Sequence, residues 1–282
     1  MGEKKTIECL RNNLGYVDLK TKGWHHILIA VVGYFLMLIL TTVFSEILAI
    51  PYENNGMDFS CIIGGTPNGG VCNEQAGNVY FYLASWAQVI AQLLVILSVA
   101  AIFIKFIVPF VKPLKEKKTW FWFAVTLVTM IPLNMLYNEL LELINSSSSS
   151  SNQSSVVSMV ESYPFLGFLL IVVAGPIFEE VIFRLGLFRA FLNKGKKMEI
   201  LGFVISLILF VSIHFMATAS AVISSKDMTL LVNDLLTIPG YVIAGFAVTF
   251  TYYKTKNFIT PVIFHMTWNF TQFLIIIISS VI

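Results

Sequence analysis

Apolar residues run in long stretches along this chain, with polar residues gathered between them rather than alternating with them. Stretches long enough to cross a bilayer, which takes about 20 apolar residues, occur at Trp24 to Ile50, Val79 to Val111, Trp120 to Ile144, Tyr163 to Leu192, Met198 to Ser220, Leu230 to Tyr253 and Phe258 to Ile282. The pattern predicts an all-α, polytopic membrane bundle of about seven transmembrane helices. The intervening segments are short, apart from a polar N-terminal tail (1–23), a loop at 51–78 rich in Gly and Pro, and a run from Asn145 to Ser155 made almost wholly of Ser, Asn and Gln. Such a run has little apolar area to bury and reads as a flexible linker, 145–162. It divides the chain into a three-span region, 24–144, and a four-span core, 163–282.

Composition agrees: of 282 residues, 57% are hydrophobic and 12% charged, with a mean hydropathy of +0.81, which no water-soluble domain of this size shows. Basic residues then orient the helices. Lys4, Lys5, Arg11, Lys20 and Lys22 precede the first span, Lys112 to Lys118 follow the second, Arg189 to Lys197 the fourth, and Lys254 and Lys256 the sixth. The loop 51–78 has none, and Lys226 alone falls on the other side. By the positive-inside rule the N-terminus is cytoplasmic. The net charge of +2 is therefore an orientation signal, and no nucleic-acid partner is expected. The lipid bilayer is the expected surrounding, and the short loops suit a multi-pass protein of a bacterial plasma membrane.

The first span follows a polar tail and lacks a small-residue cleavage site, so it reads as a retained helix rather than a signal peptide. Cys61 and Cys72 share the outside loop, which is flexible enough to allow a disulfide; Cys9 reads as a free thiol in the cytoplasmic tail. The 24 Phe are lipid contacts and packing. Glu46, Glu139, Glu142, Lys105 and Asp234 lie near span ends, where charge is tolerated.

Three ionisable groups stand out in the fourth span: Glu179, Glu180 and Arg184, within Gly175-Pro176-Ile177-Phe178-Glu179-Glu180-Val181-Ile182-Phe183-Arg184. Charge within lipid marks chemistry, transport or a buried pairing. Glu180 and Arg184 are i,i+4 neighbours on one helical face and should pair, while Glu179 points about 100° away. Without its own cation, and beside a like charge, Glu179 suits a general base. The plainer reading is a buried Glu-Arg pair that fixes packing.

Two of four histidines, His214 and His265, also lie inside late spans, with Phe210 one turn before the first and Asn269 one turn after the second. His25 and His26 beside Trp24 read as an interfacial belt. Counting about 1.5 Å per residue from the cytoplasmic ends puts Glu179 roughly 15 to 22 Å deep, His214 roughly 24 Å and His265 roughly 11 Å. All fall in the hydrocarbon layer.

The ordered set Glu179-Glu180-x-x-x-Arg184, Phe210-x-x-x-His214 and His265-x-x-x-Asn269 resembles the CPBP intramembrane proteases. That family includes the type II CAAX prenyl endopeptidases and bacterial relatives linked to bacteriocin immunity and peptide-pheromone processing. The similarity spans Tyr163 to Ile282 and extends through Gly245 to Tyr253 and Thr260-Pro261. The family's Gly directly after the motif Arg is displaced here, because Leu185 intervenes before Gly186.

The resemblance implies an endopeptidase acting on a membrane-associated protein or peptide. Glu179 and His214 would activate water, His265 and Asn269 would stabilise the oxyanion, and Glu180, Arg184 and Phe210 would support them. No cofactor is expected. A zinc mechanism with Glu179, His214 and His265 as ligands is the chemical rival, although no His-Glu-x-x-His is present. A non-catalytic adaptor or immunity protein of the same fold is a rival of another class. A transporter would also carry intramembrane Glu, Arg and His, but no repeat supports one.

Overall fold

The computed structural model describes residues 21–59, 74–144, 150–216 and 228–281. Cys9, Cys61, Cys72 and Lys226 lie outside the described residues, and so does the disulfide expected of the loop. The described residues are helical, without strands, as the long apolar runs dictate: in lipid each backbone amide and carbonyl must find its partner within the segment.

Helix α1 is Gly23–Glu53 and continues past Pro51. Helix α2, Glu74–Ile102, starts earlier than its apolar run and gives way to short turns at Ile104–Phe106, Ile107–Val111 and Lys112–Lys115. Helix α3 is Lys117–Ile144. The expected linker is in its second part a helix, α4, Ser151–Ser162. The Ser150 hydroxyl caps it, accepting from the Gln153 amide at 3.0 Å, and Met159 and Val160 are buried. Here a polar composition conceals one apolar turn that docks. Helix α5 is the rod Pro164–Phe191, followed by α6, Lys196–Ile213, α7, Met228–Thr255, and α8, Ile259–Val281.

Six of these helices, α1, α2, α3, α5, α7 and α8, are long and apolar enough to cross a membrane. The seventh expected span is represented by α6, whose 18 residues measure about 27 Å, close to the hydrocarbon thickness of about 30 Å. Lys196, Lys197 and Glu199 put three charges into those 18 residues.

The helices alternate in direction, and contacts between their ends show it. At the basic end, Lys256 binds Glu199 at 2.9 Å and Asn257 donates to the Phe110 carbonyl at 2.7 Å. Asn257 also accepts from the Thr260 amide at 3.1 Å, capping the start of α8 after a left-handed Lys256 (φ 53°). At the opposite end, Tyr241 meets Ser150 at 2.8 Å, and Tyr137 donates to the Leu236 carbonyl at 3.0 Å, one turn before Pro239.

Helix α5 is the centre of the bundle. Of its span 56% is buried, against 17% to 39% in the others, so its charges are shielded from lipid by protein. Helices α1 and α2 pack along it, and α3 packs on α7. The three N-terminal helices thus share one core with the other five.

The crossing of α1 and α5 depends on a glycine. A Cβ on Gly186 would lie 2.8 Å from the Ala30 Cβ and 3.1 Å from the Ala30 nitrogen, so the displaced glycine is where α1 crosses α5. His26, expected at the interface, is buried at that crossing: its Nδ1 donates to the Leu185 carbonyl at 2.9 Å and its Nε2 meets Thr21 at 2.7 Å. The carbonyl it binds belongs to the intervening residue. His25, by contrast, stacks on Trp24 with ring centroids 3.8 Å apart.

Candidate active site

Helix α5 is not a uniform α-helix. π-Helical turns at Phe168–Ala174 and Val181–Leu187 flank a short α-helical piece, Gly175–Glu180. The first has a readable cause. Gly175 donates to the Leu170 carbonyl, five residues back, and a Cβ at Gly175 would lie 2.6 Å from that oxygen. In the same register residue 176 would donate to the Ile171 carbonyl, but proline has no N–H. The Asn269 side chain supplies the missing donor, its Nδ2 bonding Ile171 O at 2.9 Å. Because a carbonyl only accepts, this contact also fixes which way the amide faces.

Glu180 and Arg184 form the expected pair, with Oε2 and Nε at 3.1 Å and both side chains fully buried. The alignment is that of an ion pair rather than a hydrogen bond. Nη2 of Arg184 donates to Thr249 Oγ1 at 3.0 Å and to the Gly245 carbonyl at 3.3 Å, and the guanidinium lies 4.8 Å over the Phe210 ring. Glu180 spends its other oxygen on His265, accepting from Nδ1 at 3.0 Å. Thr249 and the Gly245 carbonyl escape a reading of the sequence by charge, since neither is ionisable; only their place inside the Gly245 to Tyr253 stretch points to them.

Glu179 faces the other way, into a cavity of about 570 Å³ that His214, Phe210, His265, Asn269 and Tyr241 also line. Its Oε2 is buried without a hydrogen-bond partner and lies 3.8 Å from His265 Nε2, beyond hydrogen-bond range. His265 therefore stands between the two carboxylates, one ring nitrogen toward each. The expectation that Glu179 has no cationic partner is modified to that extent.

His214 caps α6 at its outer end. Its Nδ1 donates to the Phe210 carbonyl at 2.8 Å, which leaves Nε2 as the free ring nitrogen. Its ring packs on Tyr241 at 4.6 Å and on Phe210 at 5.0 Å, and Phe210 in turn meets His265 at 5.9 Å. Phe210 is thus the hub that holds both histidines and the guanidinium in register. Tyr241, anchored through Ser150 and Asn152, is a cavity residue that sequence reading passes over, because one tyrosine among ten in an aromatic-rich chain gives no signal.

Glu179, Glu180, Arg184, Phe210, His214, His265 and Asn269 all come to this one place, on α5, α6 and α8. Both histidines hold Nδ1 in a hydrogen bond. Among the described residues no three His, Cys, Asp or Glu side chains are gathered as ligands of one ion. What the arrangement offers chemically is one carboxylate at a cavity wall, two oriented imidazoles and an amide with one N–H unspent.

Residues 161–271 match the family model of type II CAAX prenyl endopeptidase, Rce1-like. The match covers every residue of the cluster. Neither the curated proteins nor the solved structures gave a match.

Proposed function

We propose that this multi-pass membrane protein, whose Rce1-like segment indicates a CAAX-type intramembrane endopeptidase, hydrolyses a peptide bond with Glu179 as general base. The supporting observation is the division of labour between adjacent carboxylates. Glu180 is consumed by Arg184 and His265, whereas Glu179 fronts the cavity with an oxygen that accepts no hydrogen bond.

In this reading a water lies between Glu179 and His214 Nε2. Its oxygen attacks the scissile carbonyl carbon while its proton passes to Glu179. The resulting oxyanion is stabilised by the second N–H of Asn269 and by His265, which Glu180 holds by Nδ1. The C–N bond then breaks, and the departing amine takes the proton from Glu179. Balanced so, the cycle regenerates the carboxylate and needs no metal. Arg184 and Phe210 touch no reacting atom; they fix Glu180 and the two imidazoles. The substrate is a membrane-associated protein or peptide.

The test compares peptides released by cells carrying the wild type with those from Glu179→Gln and His214→Ala cells at equal membrane levels. Peptides with new termini should vanish from both variants. The same peptides in unchanged amount would sink the reading in favour of a non-catalytic adaptor.

A further inference from the structure

The cavity is not centred in the bundle. Its lining runs from the middle of the bundle to the end remote from the basic residues: Phe81 to Gln92 of α2, Asn134 to Leu141 of α3, Leu170 to Glu179 of α5, Thr237 to Ala244 of α7 and His265 to Ile276 of α8, with residues of α4 at the remote end. Among the described residues every Lys and Arg except Arg184 lies at the other end, while Glu53, Glu74, Glu139, Glu142 and Glu161 lie on the cavity's side. By the positive-inside rule that side is extracytoplasmic.

The walls of this half are dense in carboxamides. Gln88 and Gln92 are i,i+4 neighbours on α2, Asn134 and Asn138 are i,i+4 neighbours on α3, and Gln272 follows one turn after the site on α8. Gln92 is 4% exposed, and its Oε1 is buried with no hydrogen-bond partner. A membrane helix that carries an unsatisfied amide loses free energy unless something polar comes to it. Carboxamides both donate and accept, as does the backbone of an extended peptide.

We propose that the site is fed from the extracytoplasmic side, where these carboxamides hold an extended peptide segment whose backbone reaches Glu179. The substrates are then peptides or membrane-protein segments exposed on the outer face, not chain ends presented from the cytoplasm. This assignment rests on the protease reading for what happens to the segment, but not for where the vestibule opens.

The full chain in intact cells tests it with a membrane-impermeant maleimide. Asn134→Cys and Gln272→Cys are made with Cys9, Cys61 and Cys72 replaced by Ser, alongside Lys197→Cys at the basic end. Mass spectrometry maps the modified positions, so the native cysteines can stay if their loss lowers membrane insertion. Asn134→Cys and Gln272→Cys should react in intact cells, and Lys197→Cys only after permeabilisation. The reverse pattern overturns the proposal, and so does an Asn134→Cys or Gln272→Cys that reacts only after permeabilisation or not at all. Adding Glu179→Gln should leave this labelling unchanged, which separates the vestibule's position from catalysis. In Gln272→Cys cells the reagent should also cut Glu179-dependent peptide release at least tenfold; undiminished release by fully labelled protein overturns the feeding route.

Discussion

Glu179 and Glu180 are neighbours in sequence and opposites in environment. Replacing Glu179 by Gln keeps its volume and removes only its capacity to take a proton. We expect peptide release to fall by about a hundredfold or more, while thermal unfolding of the purified protein in detergent is unchanged. Arg184→Met should behave differently, because it strands the fully buried Glu180; losing one partner of such a pair costs about 3–5 kcal/mol. Unfolding at the wild-type temperature would show that the pair is not what holds α5 in place. Asn269→Leu leaves the Ile171 carbonyl without its donor, at about 1–3 kcal/mol, so it should lower stability as well as release. The Glu180–Arg184 pair was legible from spacing alone, since i,i+4 neighbours meet in any helix. That His265 stands between the two glutamates was not, because the contact joins residues 85 apart in sequence and depends on how α8 packs. Nor was the bond from Asn269 to Ile171, which follows from a proline whose effect appears only once the turn around it is known to be wide.

At the scale of elements, the apolar runs located the helices and mistook some of their edges. Helix α2 begins in polar sequence because Glu74 and Gln75 lie in its first turn, and α4 was hidden by serines. The displaced glycine was visible in the motif, but its purpose required the neighbouring helix. Gly186→Val would force atoms into Ala30, and overpacking of this kind costs about 1–3 kcal/mol. Adding Ala30→Gly removes the nearest of those atoms, so the double variant should unfold at a higher temperature than Gly186→Val alone. Equal temperatures for the two would mean that the crossing of α1 and α5 tolerates the change by moving apart.

For the whole molecule, the alternation of basic and acidic ends was fully legible, since it is written in composition. The burial of α5 was not, because nothing in an apolar run says which of several such helices the others surround. The three N-terminal helices, set apart in sequence by the Ser-rich run, supply cavity walls through α2 and α3. Metal content is a property of the intact protein too. Elemental analysis after purification without chelator should find well under one zinc per chain, and stoichiometric zinc whose removal abolishes peptide release would replace the metal-free mechanism.

The bond between Glu180 and His265 has a consequence for biogenesis. At about 5–20 residues per second, the 85 residues between them take about 4 to 17 s to synthesise. For that interval α5 has left the ribosome with Glu180 and Arg184 but without the imidazole that completes them, and an unfinished chain must be sheltered by the insertion machinery or by α1 and α2. A chain arrested before Ile259 is therefore a substrate for membrane quality control rather than a smaller version of the protein, and it should be cleared faster in pulse-chase than one arrested after Val281.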